Sequence, residues 1–317
     1  MMVTIGIDLG GTNIVAGVVD KEYRILASAK CKTKAERPAA DILDDMARVS
    51  REAVQKAGLT MDDVAYVGIG APGTCNAETG QVEYANNLPF NNLPIQSMMN
   101  ERLGKPIYIE NDANAAAWGE VKAGAAKGAA SCVCVTLGTG VGGGIVLDGK
   151  IYSGFNYAGA EIGHAVIVKD GAPCTCGRKG CWEAYASATA LINQTRAAMK
   201  EHPDSKMWEL AGSIEKANGL TAFDAMRAGD AAGKAVVDAY IEYVAVGVIN
   251  MINIFQPEVI CIGGGVSKEG ETLLGPMREK IERERYSRYS ARQSKLCVAE
   301  LGNDAGVIGA ACLGEMV

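Results

Sequence analysis

Short apolar runs alternate with glycine-rich breaks along this chain, starting at its first residues. Val3 to Leu9 reads as a strand, and Ile7-Asp8-Leu9-Gly10-Gly11-Thr12 continues into Val18-Val19-Asp20 as strand, tight turn, strand. Apolar β-formers there flank residues that tolerate positive φ. The same order returns at Val135-Thr136-Leu137-Gly138-Thr139-Gly140 and Val146-Leu147-Asp148. Leu9 and Leu137, Gly10 and Gly138, and Asp20 and Asp148 all stand 128 positions apart, which favours a duplicated unit over two unrelated hairpins. After the first hairpin the pattern predicts a strand (Tyr23 to Lys30), a helix (Ala39 to Ala57) and a strand (Val64 to Gly70). After the second it predicts a cysteine-bearing loop, a long helix (Asp230 to Asn253) and a strand (Val259 to Ile262). In that helix Val237, Ile241, Val244, Val248 and Ile252 recur at three- and four-residue spacing, with Pro257 just beyond the end.

The expected fold class is therefore α/β, with two similar lobes and a cleft between them, a favoured place for a ligand. The smaller N-terminal lobe is expected over residues 1–115, joined by a C-terminal helix over 304–317. The larger lobe is expected over 116–303.

Composition narrows the function classes. At 317 residues and 48% apolar, the chain can build real cores. Its net charge is −6, with no Lys/Arg run to mark a nucleic-acid surface. The most apolar stretch, Val236 to Phe255, contains Asp238, Glu242, Asn250 and Asn253 and reads as a half-buried helix, not a membrane span. No signal-peptide pattern precedes Val3, so a cytoplasmic protein without a membrane partner is expected. Of ten cysteines, Cys31, Cys75, Cys132, Cys134, Cys261, Cys297 and Cys312 are scattered, mostly in apolar runs, and read as buried thiols.

The other three, Cys174, Cys176 and Cys181, follow His164 in an H-x9-C-x-C-x4-C spacing, with Gly177 and Gly180 to bend the chain. One imidazole and three thiolates match a closed tetrahedral structural zinc site, against the alternatives of a redox cluster or ordinary thiols. The glycine motifs are less specific. Gly138, Gly140 and Gly143 satisfy GxGxxG, as do Gly68, Gly70 and Gly73. The dinucleotide fingerprint needs a helix straight afterwards. Here the first set runs into Ile145-Val146-Leu147 and the second into the polar turn Thr74-Cys75-Asn76. What remains is a matched pair of hairpin turns with exposed N–H groups, able to cradle phosphates. A third cluster, Gly263-Gly264-Gly265, follows a strand.

These residues together resemble the ROK family of bacterial sugar kinases and sugar-responsive repressors, and among its members the glucokinases. The resemblance covers essentially the whole chain. It rests on Asp8-Leu9-Gly10-Gly11-Thr12, Glu110-Asn111-Asp112-Ala113-Asn114, Gly138 to Gly144, Glu161-Ile162-Gly163-His164, and Cys174 to Glu183. It implies a duplicated actin-like, ribonuclease-H-like fold and ATP-dependent phosphorylation of glucose, or a related hexose, at the 6-hydroxyl. Asp112 is implied as the general base, with Asn111, Glu161, His164 and Glu183 holding the sugar and Asn86 and Gly73 closing the pocket. Gly10, Gly11, Thr12, Asn13, Gly138, Thr139, Gly140, Gly264 and Gly265 are implied for ATP, Asp8 for Mg²⁺, and a homodimer is implied as the assembly.

Taken without the resemblance, Asp112 stands where a strand (Pro106 to Ile109) meets an Ala-rich helix, so helix capping explains it as well as catalysis does. A carboxylate with an ordinary pKa of about 3.9 is too weak to deprotonate a resting alcohol. It serves only as a proton acceptor while the phosphoryl group moves. Glu161 and Glu183 flank the metal ligands, which would preset them as hydroxyl acceptors, and His164 would keep one ring nitrogen for the sugar. A sugar-sensing repressor and an actin-like ATPase without a sugar are the readings from other classes.

Overall fold

The computed structural model describes residues 2–316. Met1 and Val317, the outermost residues of the expected N-terminal lobe and C-terminal helix, lie outside the described residues. The chain opens with β1 (Val3–Leu9), β2 (Asn13–Val19), β3 (Ile25–Lys32), α1 (Ala39–Lys56) and β4 (Val64–Ala71). Then come β5 (Thr74–Asn76), β6 (Gln81–Tyr84), β7 (Asn91–Leu93), α2 (Ile95–Leu103), β8 (Ile107–Asn111) and α3 (Asp112–Ala123). The second half has β9 (Cys132–Leu137), β10 (Val141–Leu147), β11 (Lys150–Ile151), α4 (Glu183–Ala186), α5 (Ala188–Glu201), α6 (Met207–Ala211), α7 (Thr221–Arg227) and α8 (Ala231–Phe255). It closes with β12 (Val259–Gly263), α9 (Glu271–Glu284), β13 (Lys295–Val298) and α10 (Ala305–Ala311).

Two five-stranded sheets have the orders β3-β2-β1-β4-β8 and β11-β10-β9-β12-β13. Read in sequence order within each half, this is the same permutation twice. The register repeats too: β2 at 13–19 and β10 at 141–147 keep the 128-residue offset. In the first sheet β1, β2 and β3 pair antiparallel, while β1, β4 and β8 run parallel. The duplicated actin-like, ribonuclease-H-like fold is thus written in strand order as well as in sequence. The polar turn expected at Thr74-Cys75-Asn76 is instead a short strand of a third sheet, β5-β6-β7. Cys75 points inward, fully buried, and its polar neighbours are only partly covered, so two-residue alternation outweighed local polarity.

The described residues divide into two compact units. One holds the chain as far as Val133, Gly144–Ala160 and the chain from Ala299; the other holds Cys134–Gly143 and Glu161–Val298. In the first unit the apolar face of α1 (Ile42, Leu43, Met46, Val49, Ala53) packs into the core of the sheet. α10 lies against β1, β4 and α3. Glycines make that approach a backbone contact. A Cβ at Gly6 would fall 1.8 Å from the Val307 carbonyl oxygen, one at Gly68 1.8 Å from that of Ala310, and one at Gly309 1.6 Å from that of Ala115. The buried Glu120 carboxylate fastens the approach to α10 by accepting from the backbone N–H groups of Glu300 (3.1 Å), Leu301 (2.9 Å) and Ala125 (2.8 Å).

In the second unit α8 is long and apolar enough to cross a bilayer by length and composition alone. Its apolar positions are instead buried, Val237, Ile241, Val244, Val248 and Ile252 among them, and it packs against α4, α5, α7 and α9. Gly247 of α8 is covered by Trp182, where a Cβ would lie 1.9 Å from the indole.

The glycine contacts predict that Gly309→Ala costs more than about 3 kcal/mol, because backbone and not a flexible side chain blocks the added methyl. Gly219→Ala, with open space around it, should stay within about 0.5 kcal/mol of wild type. Thermal unfolding midpoints of the two variants check the contrast, and equal shifts would refute it.

Candidate active site

Parallel pairing brings three strand ends of the first unit level. Asp8 of β1 stands opposite Gly70 of β4, Gly70 opposite Glu110 of β8, and Ala71 opposite Asn111. Carboxyl ends of strands in open α/β sheets are where ligands bind. Asn111, not Asp112, caps α3: its Oδ1 accepts from the N–H groups of Ala113 (2.9 Å) and Asn114 (3.2 Å). Its Nδ2 donates to the Gly73 carbonyl at 3.2 Å, tying the β4–β5 turn to the same place. Gly73 has φ of 97°, and a Cβ there would strike the Tyr84 carbonyl at 2.0 Å. With capping assigned to Asn111, Asp112 is the first helical residue, and its Oδ1 accepts the Ala113 N–H at 2.9 Å.

Burial raises the Asp112 pKa above the ordinary carboxylate range, against the lowering pull of the Ala113 N–H. Asp8 is pushed up to about 6, by burial first and by the charge of Asp112 second. The start of α10 closes on it, since a Cβ at Gly306 would sit 2.9 Å from the Asp8 carboxyl carbon. In the β1–β2 turn the Gly10 N–H donates to the Asn13 carbonyl at 2.9 Å, and the Thr12 carbonyl accepts from Thr33 N–H at 3.0 Å. A Cβ at Gly11 would meet the Asn87 side chain at 2.8 Å. Asn86 is exposed beside it, accepting from the Tyr84 hydroxyl at 3.3 Å.

In the second unit Gly138 N–H donates to the Gly140 carbonyl at 3.0 Å. The first N–H of each hairpin turn therefore closes the turn itself, which corrects the expectation that all of these N–H groups are exposed. Space over Gly138 and Gly265 is open, while Gly264 (φ 86°) lies against the Leu137 backbone. Thr139 presents its carbonyl to the Thr189 hydroxyl at 2.8 Å.

His164, Cys174, Cys176 and Cys181 bring one ligand atom each to within 4.8 Å of one another. Cys174 Sγ lies 3.6 Å from His164 Nδ1, and Cys176 Sγ 3.7 Å from Cys181 Sγ. A tetrahedral ion with metal–sulfur bonds of about 2.3 Å has sulfur–sulfur edges of about 3.8 Å, so the donor set and spacing fit zinc. Nδ1 is the nitrogen turned to the thiols, which leaves Nε2 for another partner. Trp182 anchors the loop, its indole N–H donating to the Tyr243 carbonyl at 2.9 Å. Glu183 joins the loop to the glycine turn: one carboxylate oxygen accepts from Val141 N–H at 3.0 Å, the other from the Thr175 hydroxyl at 3.4 Å. Glu161 is exposed, one turn before His164, whose N–H donates to the Glu161 carbonyl at 3.1 Å.

The ROK family model matches residues 4–316. The chain belongs to the ROK family. It is 38% identical over 310 residues to a glucokinase of Thermotoga maritima, covering 98% of this chain and 96% of that protein. Among solved structures it is similar to a ROK family glucokinase of Streptomyces griseus in complex with glucose and AMPPNP, at TM-score 0.81 and 37% identity, covering 99% and 100% of the two chains. A ROK hexokinase of Thermus thermophilus matches at TM-score 0.78 and 33% identity over 98% and 97%. This ROK protein is a sugar kinase.

Reading the sequence left two residues of this ROK chain without a role. Glu110 is buried beside Asn111 and accepts three hydrogen bonds, one of them from Ser153. The only sequence signal was a carboxylate at the end of the apolar strand Ile107-Tyr108-Ile109.

The raised Asp8 pKa predicts a pH-dependent stability. Between about pH 3.8 and 6 the folded chain holds a proton that the unfolded chain releases, so stability present below 3.8 is lost as pH rises to 6. Asp8→Asn should therefore raise the unfolding free energy at pH 7 by about 3 kcal/mol in magnesium-free buffer, with the gain shrinking toward pH 4. A midpoint shift independent of pH would refute this.

Proposed function

We propose that this ROK kinase transfers the γ-phosphoryl group of ATP to the 6-hydroxyl of glucose, with Asp112 as the general base. The observation that carries the reading is the buried Asp112 carboxylate, relieved of capping by Asn111 and raised in pKa, at the carboxyl end of β8. A base with a raised pKa accepts a proton more readily, yet it must start ionised. Asp112 takes the 6-hydroxyl proton as the oxygen bonds to phosphorus and the bond to ADP breaks, a loose transfer in which positioning and charge neutralisation dominate. Asn111 and the Gly73 turn, with Asn86, are assigned to orient the sugar, and Glu161, His164 and Glu183 to take its other hydroxyls. The turns at Gly10, Gly11, Thr12 and Asn13, at Gly138, Thr139 and Gly140, and at Gly264 and Gly265 are assigned to ATP. Asp8 offers oxygen donors next to a second carboxylate, which suits Mg²⁺; bound there, the ion supplies charge neutralisation. Zinc on His164, Cys174, Cys176 and Cys181 is saturated by protein and supplies rigidity only.

Removing the base in Asp112→Asn should lower kcat about 10²–10⁴-fold in a coupled assay, with a thermal midpoint no lower than wild type because a buried charge is removed. Turnover near wild type would end the assigned mechanism. Elemental analysis of wild type should find one zinc per chain; Cys176→Ser should lose it and raise the glucose KM while leaving nucleotide affinity intact. Active protein purified without zinc would refute that role. The similarity to a ROK hexokinase favours one second reading, a kinase with another preferred hexose. Comparing kcat/KM for glucose, fructose, mannose, allose and N-acetylhexosamines decides between the two.

A further inference from the structure

The peptide that carries Asp112 is held inside a closed ring of hydrogen bonds. Glu110 Oε1 accepts from Asn111 N–H at 2.8 Å and from Asn114 Nδ2 at 3.1 Å, and Asn111 Oδ1 accepts from Asn114 N–H at 3.2 Å. The ring runs Glu110, Asn114, Asn111 and back to Glu110, with Asp112 inside the loop of chain it closes. Glu110 and Asn114 are only 5% and 3% exposed, so water cannot replace these partners. Asn114 Oδ1 is buried with no partner of its own, so its amide is held by the bond it donates to Glu110 and not by the acceptor end.

The other Glu110 oxygen reaches a different stretch of chain. Oε2 accepts from the Ser153 hydroxyl at 2.9 Å. Ser153 is the base of a loop that closes on itself, because Gly159 N–H donates to the Ser153 carbonyl at 2.9 Å. The backbone inside is constrained, with positive φ at Gly154 (77°), Tyr157 (59°) and Ala160 (65°). At its tip Phe155 is 99% exposed, an aromatic ring committed to no packing within the fold.

We propose that Glu110 is a positioning residue of the phosphoryl transfer. Its carboxylate fixes the peptide that aims Asp112 and, through Ser153, holds the 153–160 loop to the same strand end. Base and loop then meet the sugar as one rigid part. The inference rests on reading Asp112 as the base. Glu110 touches neither sugar nor nucleotide in this account; it acts through Asn111, Asn114 and Ser153.

Glutamine at this position can keep all three contacts: its carbonyl oxygen accepts from Asn111 and Asn114, and its amide donates to a reoriented Ser153 hydroxyl. Alanine keeps none. Glu110→Ala is therefore expected to lower kcat about 10²-fold with the ATP KM unchanged, because a small misplacement of a catalytic group costs about that much. Glu110→Gln should restore most of it. Ser153→Ala should raise the glucose KM about 5-fold, the usual worth of one hydrogen bond, and Ser153→Thr should bring it back. Glucose affinity by calorimetry and the Asp112→Asn variant are measured alongside, so that failure of the base assignment is read separately. Folded Glu110→Ala with kcat within about threefold of wild type overturns the proposal, as does an equal loss in Glu110→Ala and Glu110→Gln, which would make charge the requirement. Should Glu110→Ala not fold, Ser153→Ala with kcat and glucose KM within about twofold of wild type overturns it instead.

Discussion

The first unit depends on one steric fact, the missing Cβ at the glycines where α10 crosses β1, β4 and α3. Contacts of 1.6 to 1.8 Å between a hypothetical Cβ and facing carbonyl oxygens mean that backbone lies on backbone, closer than any side chain permits. Such an approach cannot relax to admit even a methyl group, because close-packed interiors transmit strain instead of absorbing it. Its consequence is chemical. Asp8 is the penultimate residue of β1 and Asp112 the first of α3, and both elements rest on the same short helix. Two carboxylates from distant parts of the sequence are thereby held near one another by one rigid support.

That placement has an electrostatic cost. Burial raises both acids, and their mutual repulsion raises Asp8 further. Groups held in such a state are tolerated where they act on a ligand, and the surrounding packing must supply the stability they take away. The thiol–imidazole cluster follows the opposite logic. It is closed on itself, lies in the other unit, and is tied through Trp182 to α8 and through Glu183 to the glycine turn at Val141. One cluster is a pair of buried acids raised in pKa; the other is a compact set of three thiols and one imidazole whose spacing fits a tetrahedral ion.

Much of this was legible in the sequence, for reasons that differ by feature. The 128-residue offset carried the duplication because strand, turn and strand are local, and the repeated strand order confirms it. The thiol–imidazole cluster was legible because its four residues lie close in sequence. The strand at Thr74–Asn76 was not, since its partner comes from pairing with β6 and its polar residues look like a turn. The capping role of Asn111 was invisible because Asn and Asp are equally good caps, and only backbone geometry says which residue stands first. Ser153 lies 43 residues from Glu110, and no local pattern joins a serine in a glycine-rich loop to a buried carboxylate.

The repeat also explains why the chemistry occurs once. Advancing the first hairpin by 128 positions carries Leu9 to Leu137 and Gly10 to Gly138, but it carries Asp8 to Thr136. Topology and turn glycines were kept in both copies, since both sheets need the same tight connection. The acid was not, and a hydroxyl in its place cannot supply the negative charge a divalent cation requires. The partner of Asp8, Asp112, likewise follows the last strand of the first sheet, whereas the last strand of the second, β13, ends at Val298 and runs on to Ala299. The first copy thus carries the two buried acids, and the unit that holds most of the second carries the thiol–imidazole cluster. The proposed transfer would use that division: a charged group in motion is stabilised by acids with a cation, and a neutral sugar is held by fixed hydrogen-bond acceptors.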